Sequence, residues 1–134
     1  MDQQWIWVKA NKPPKNAVSK AVKEGILIQA QTFLDTHYKS QILPPPKNPK
    51  WNYVVDCFVK WRGFYLYFIA KYACPFPNAI SSEFNAAFAR LGCFSRDRFD
   101  LWARRHNDQW INIETDLSLD ECFNSMKENP WFEL

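Results

Sequence analysis

Two aromatic runs separated by one turn constrain this chain more than any other feature. Trp51-Asn-Tyr-Val-Val-Asp-Cys-Phe-Val-Lys-Trp61 and Phe64-Tyr-Leu-Tyr-Phe-Ile-Ala-Lys-Tyr72 flank Arg62-Gly63. β-Branched and aromatic runs broken by glycine predict strands, and two of them across two residues predict a hairpin. A two-residue loop at Arg62-Gly63 pairs Trp61 with Phe64, Val59 with Leu66, Cys57 with Phe68, Val55 with Ala70 and Tyr53 with Tyr72. That set is apolar throughout and predicts the core side. The reverse side sets Lys60, Phe58, Asp56 and Val54 against Tyr65, Tyr67, Ile69 and Lys71. A slip by one residue would bury Asp56 and Lys60, so the phase is well specified. Asp56 is expected to form a cross-strand ion pair with the diagonal Lys71.

The remaining elements follow from spacing and punctuation. Residues 1–15 read as an arm in which Trp5 and Trp7 alternate with Ile6 and Val8, ended by Asn11-Lys-Pro-Pro-Lys15. A helix is predicted over 16–40, capped by Asn16. Val18, Val22, Ile26, Phe33 and His37 lie on one face, with Ala21 and Ala30 beside them. Gly25 falls on that face, which predicts close backbone packing there. Residues 41–50 form a proline-rich connector. Ser81–Leu91 is ambiguous: propensity favours a helix stopped by Gly92, while the alternation of Phe84, Ala86 and Phe88 suits a strand. A second hairpin turns at Asn107–Gln109. It puts Phe99, Leu101, Ala103, Ile111 and Ile113 on one face and Trp102, Arg104, His106, Trp110 and Asn112 on the other. Ser118-Leu-Asp-Glu121 is a capping box before the stripe Leu119, Cys122, Phe123 and Met126, with Leu117 and Cys122 in the staple positions. Asn129-Pro130 ends that helix, and Trp131 and Phe132 are expected to fold back. The whole predicts one α+β domain: an antiparallel meander of four to five strands over 51–134, with a long N-terminal and a short C-terminal helix.

Composition narrows the function classes. A chain of 134 residues with 47% apolar content can bury its own core. Aromatic content of 17% exceeds what a core needs, so some rings belong to a surface. The net charge of +3 is too small to mark a polyanion binder by itself. Cys57, Cys74, Cys93 and Cys122 show no C-x-x-C spacing and make no zinc ligand set. Cys57 and Cys122 read as small buried hydrophobes, and reduced thiols predict a cytoplasmic protein. There is no signal-peptide pattern, no run long enough to span a membrane, no phosphate-cradling loop and no expected cofactor.

From Asn52 to Phe132 the chain resembles an uncharacterised family of short bacterial domains of unknown function. The resemblance rests on Val55-Asp56, Lys60-Trp-Arg-Gly63, Phe88-Ala-Arg-Leu91, Phe99-Asp-Leu101, Arg105-His-Asn-Asp-Gln-Trp110, Leu117-Ser-Leu-Asp-Glu-Cys122 and Pro130-Trp-Phe132. It implies a strand for Phe84–Leu91, leading into a meander. It carries over no catalytic residue and no cofactor, and residues 1–50 lie outside it.

The sharpest binding candidate is the face of Trp102, Arg104, His106 and Trp110, with Arg105 at the turn. Flat rings interleaved with cations stack planar groups such as nucleic-acid bases. The competing reading covers those tryptophans with the long helix or the N-terminal arm. Phe58, Tyr65 and Tyr67, with Trp5 and Trp7, are candidates for an interface. A hydrolase reading would use His106 with Asp108 or Asp100, and Cys93 or Ser95 as nucleophile, although no spacing requires it. Asp116, Asp120 and Glu121 read as helix-start charges. The sequence therefore predicts a non-catalytic protein-interaction module, with self-association as one form. Single-stranded nucleic-acid or planar-ligand binding is the alternative, an enzyme the third reading.

Overall fold

The computed structural model describes residues 18–105 and 107–134. The arm with Trp5 and Trp7, the Asn16 cap and His106 lie outside the described residues.

Helix α1 spans Lys20–Phe33, and Ser19 caps it by accepting from the Val22 amide at 3.2 Å. It runs on through a π turn, Leu34–Tyr38, and a 3-10 turn, Lys39–Gln41. Its buried face is Ile26, Ala30, Phe33, Leu34 and Tyr38. Leu34 and Tyr38 escape the expected stripe, while Ala21 is exposed and His37 is half-buried, stacked on Phe33 at 5.5 Å. Gly25 does not mark a close approach: a Cβ built there meets nothing within 4 Å. The face rotates along the helix, so the side that Gly25 shares with Val18 leaves the core by its second turn.

Five antiparallel strands form one sheet in chain order: β1 Tyr53–Arg62, β2 Tyr65–Ala73, β3 Glu83–Ser95, β4 Arg98–Arg104 and β5 Trp110–Leu117. The ambiguous segment is a strand, with Gly92 inside it rather than ending a helix. The first hairpin turns on Gly63-Phe64, one position later than expected, so Arg62 faces Tyr65 and Val59 faces Phe68. Gly63 holds φ +60°, which a two-residue turn of this hand requires at its first central position. The second loop closes between Arg105 and Gln109, whose carbonyl accepts from the Arg105 amide at 2.8 Å, and Asp108 takes φ +64°. Arg104 therefore faces Trp110. Both corrections move the register by an even step, so the expected faces survive where the ladder is regular, but before the bulge at Val55 the phase reverses, setting Val54 against Tyr72 and Tyr53 against Ala73.

A bulge at Val55 leaves Val55 and Tyr53 half-buried. It also re-aims Asp56, which pairs with Lys39 of the 3-10 turn at 3.4 Å rather than with Lys71. Lys71 pairs with Glu83 at 3.7 Å. The β1 edge is blunted by α1, because Gln31 Oε1 accepts the outward Val59 amide at 3.2 Å.

Helix α2, Leu119–Glu128, carries the complete capping box of Ser118 and Glu121 and buries Cys122, Phe123 and Met126. A 3-10 turn follows at Pro130–Phe132. Phe132 is fully buried, and its carbonyl accepts from the Tyr38 hydroxyl at 2.9 Å, whereas Trp131 stays 47% exposed. Phe33 stacks on Phe123 at 4.4 Å, so both helices meet over one side of the sheet. Beneath them lies a row across the strands, Val59–Phe68–Ala89–Ala103–Ile111, and beside it Trp61–Leu66–Leu91–Leu101. The fold is α+β, and among the described residues the helices cover one sheet face and leave the other uncovered.

Candidate functional site

Alternation along a strand sends each neighbour of a core residue to the uncovered face. Between the two core rows runs a third, Lys60–Tyr67–Arg90–Trp102–Asn112, one residue from each strand. Arg62 and Tyr65 stand beside it on one flank, Phe58, Ile69, Arg104 and Trp110 on the other. Pairing register, not sequence proximity, assembles this set.

Arg90 is the centre. Its guanidinium carbon lies 4.1 Å from the Tyr65 ring centroid, 4.6 Å from Trp110 and 4.8 Å from Trp102. Each such contact supplies about 0.5–2 kcal/mol, more where water is excluded. Arg62 sits 5.7 Å from the Tyr67 ring and Arg104 5.9 Å from Trp110. Tyr67 meets Trp110 edge-on at 5.8 Å and lies 6.1 Å from Tyr65. The Nε atoms of Arg90 and Arg104 are closed off from solvent without a hydrogen-bond partner. The rings thus hold these planes by stacking rather than by hydrogen bonds at Nε.

A groove of about 380 Å³ opens on this face. Phe58, Tyr67, Ile69 and Trp110 give it apolar walls, Lys60, Arg62 and Arg104 its charge, and no lining residue is acidic. Among the described residues, Lys60, Arg62 and Arg90 form no ion pair. Arg104 reaches Asp108 at 3.1 Å, a carboxylate 80% exposed at the turn. The face is therefore cationic and aromatic.

Trp102, Arg104 and Trp110 share this face as the alternation predicts, and neither helix covers it. Phe58, Tyr65 and Tyr67, read as a separate interface, join the same site. Arg105 does not: it is exposed and lies 5.9 Å from the Trp131 ring. Asn112 spends its amide on the Leu101 and Glu114 carbonyls, each at 3.2 Å. Arg90 escaped the sequence reading. Its signal was the Phe88-Ala-Arg-Leu91 alternation, which places arginine opposite the core only once the segment is a strand.

Of the groups named for hydrolysis, His106 lies outside the described residues, and Cys93, Ser95, Asp100 and Asp108 have other partners. Cys93 is buried, which pushes its thiol up to about 11, and its Sγ donates to the Ser95 carbonyl at 3.1 Å. The Ser95 hydroxyl donates to Asp97, and buried Asp100 accepts from the Asp116 amide at 3.0 Å. Among the described residues no group of three His, Cys, Asp or Glu side chains is placed to hold a metal ion. No helix of those residues is long and apolar enough to cross a membrane.

No curated protein and no solved structure matches this chain. The family described as Domain of unknown function (DUF3024) matches residues 18–132, taking in α1 as well as the sheet and α2. With that match over most of its length, the chain belongs to this family of domains of unknown function.

Proposed function

We propose that this protein is a non-catalytic binding module that works through the uncovered face of its sheet, and that its partner is anionic. The observation that carries this reading is the convergence of Lys60, Arg62, Arg90 and Arg104 on one aromatic face whose groove has no acidic lining. Rings that fix guanidinium planes lower the entropy lost on binding, and so prepare a receptor for oxyanions. Inorganic polyphosphate is a suitable probe. Its addition should quench tryptophan emission, more weakly at high salt. Arg62→Gln combined with Arg104→Gln should abolish the response. A full response in that double variant, or none in the parent protein, would remove the reading.

Self-association is a second reading, favoured by a different surface. Leu43 and Trp51 are each 79% exposed in and beside the proline-rich connector. Exposed large apolar side chains of this kind are enriched in interfaces. Sedimentation at two concentrations tests it, and a monomer at both would exclude it.

A further inference from the structure

Resting on that anionic reading, we infer that the occupant of the uncovered face is single-stranded nucleic acid, with a base stacked in the groove beside Tyr67 and Trp110. Charge alone selects only an anion. The rings select further. Tyr67 and Trp110 meet edge to face at 5.8 Å, so the groove beside them offers ring surface of two orientations, with Phe58 on the far wall. A planar base can stack there, whereas the phosphates of a duplex would leave those walls unused. Cations stand on opposite sides of the groove: Lys60 and Arg62 on β1, Arg104 on β4. A strand crossing the sheet would therefore place phosphates before and after the stacked base. Asn85, also in the lining, supplies an amide able to both donate and accept at a base edge. The modest net charge of +3 fits a few phosphate contacts rather than a long basic track.

The test uses the full chain and a labelled oligothymidylate of roughly ten nucleotides, within the ~4–16 that such surfaces span. Anisotropy is read against salt, with the matching duplex, polyglutamate and polyphosphate in parallel. Three rim cations predict a log–log salt slope of about −2 for the single strand. Trp110→Ala should weaken the oligonucleotide roughly tenfold more than it weakens polyphosphate, because only the oligonucleotide loses a stacking surface as well as the ring that holds Arg90 and Arg104. Lys60→Gln with Arg62→Gln alters two exposed side chains and should flatten the slope by more than half whether or not the Trp110 variant folds. Equal affinity for the duplex, preference for polyglutamate, or an oligonucleotide affinity untouched in both variants would overturn the inference while leaving anion binding in place. Failure of every anion to bind would remove both readings together.

Discussion

A methyl group added at Gly25 would enter open space, whereas one at Gly92 would come within 3.2 Å of the Phe64 ring and 3.3 Å of the Tyr65 ring. Gly25 lies inside α1, where glycine costs up to about 1 kcal/mol against alanine. Gly25→Ala should raise the unfolding free energy by that order, read as a higher urea midpoint. Gly92→Ala acts in the opposite direction. Tyr65 also carries the Arg90 guanidinium against its ring, so a shift of the ring would disturb that contact, and overpacking of this kind costs about 1–3 kcal/mol. An unchanged midpoint in Gly92→Ala would show that Tyr65 is loose and that the stack around Arg90 is not rigid. Arg90 also marks the limit of what residue-by-residue reading provides. The tryptophans and tyrosines of the site were legible as exposed aromatics on strands. Their common partner was not, because Tyr65, Trp102 and Trp110 reach it from three other strands through a register that no local pattern states.

The capping box of α2 carries a pH dependence whose sign can be worked out. The Ser118 amide donates to Glu121 Oε1 at 2.8 Å, and this bond to the charged form holds the Glu121 carboxyl below its ordinary value of 4.5. A depressed folded-state value means that the unfolded chain binds the proton first. The contribution is therefore present above pH 4.5 and is lost as pH falls through the lower folded value. Glu121→Gln should be less stable than the parent at pH 6, and the gap should close in acid; a gap of constant size across that window would refute the assignment. Ser118→Ala should cost about 1 kcal/mol. This box was fully legible because its signal is confined to four residues. The hairpins were legible in phase only. An apolar face fixes which parity points inward, but an even shift leaves that parity intact. The true registers depend on where the backbone takes positive φ, at Gly63 and at Asp108. Asn107-Asp108 and Arg62-Gly63 each suggested a turn without specifying its central positions.

At the scale of the molecule, the sheet is a partition with the core on one side and the proposed binding face on the other, and adjacent residues of β3 separate the two. Leu91 is fully buried in the row Trp61–Leu66–Leu91–Leu101 beneath the helices. Arg90, one position earlier, faces away among three rings. Leu91→Ala should cost about 2–5 kcal/mol, since it opens a cavity at the centre of a packed layer. The molecules that remain folded should bind polyphosphate as the parent does. Arg90→Ala removes cation–π contacts of about 0.5–2 kcal/mol each and frees the surrounding rings. It should leave a cooperative unfolding transition at a modestly lower midpoint, with the polyphosphate response lost. Urea melts and polyphosphate titrations of the two variants therefore form a crossed pair: stability without binding in one, binding without stability in the other. If Leu91→Ala impaired binding by the folded fraction as severely as Arg90→Ala, the two faces would be mechanically coupled through the thin sheet. If Arg90→Ala kept full affinity, the ring-clasped guanidinium would be a structural clamp, and the anion would be held by the rim cations Lys60, Arg62 and Arg104 alone.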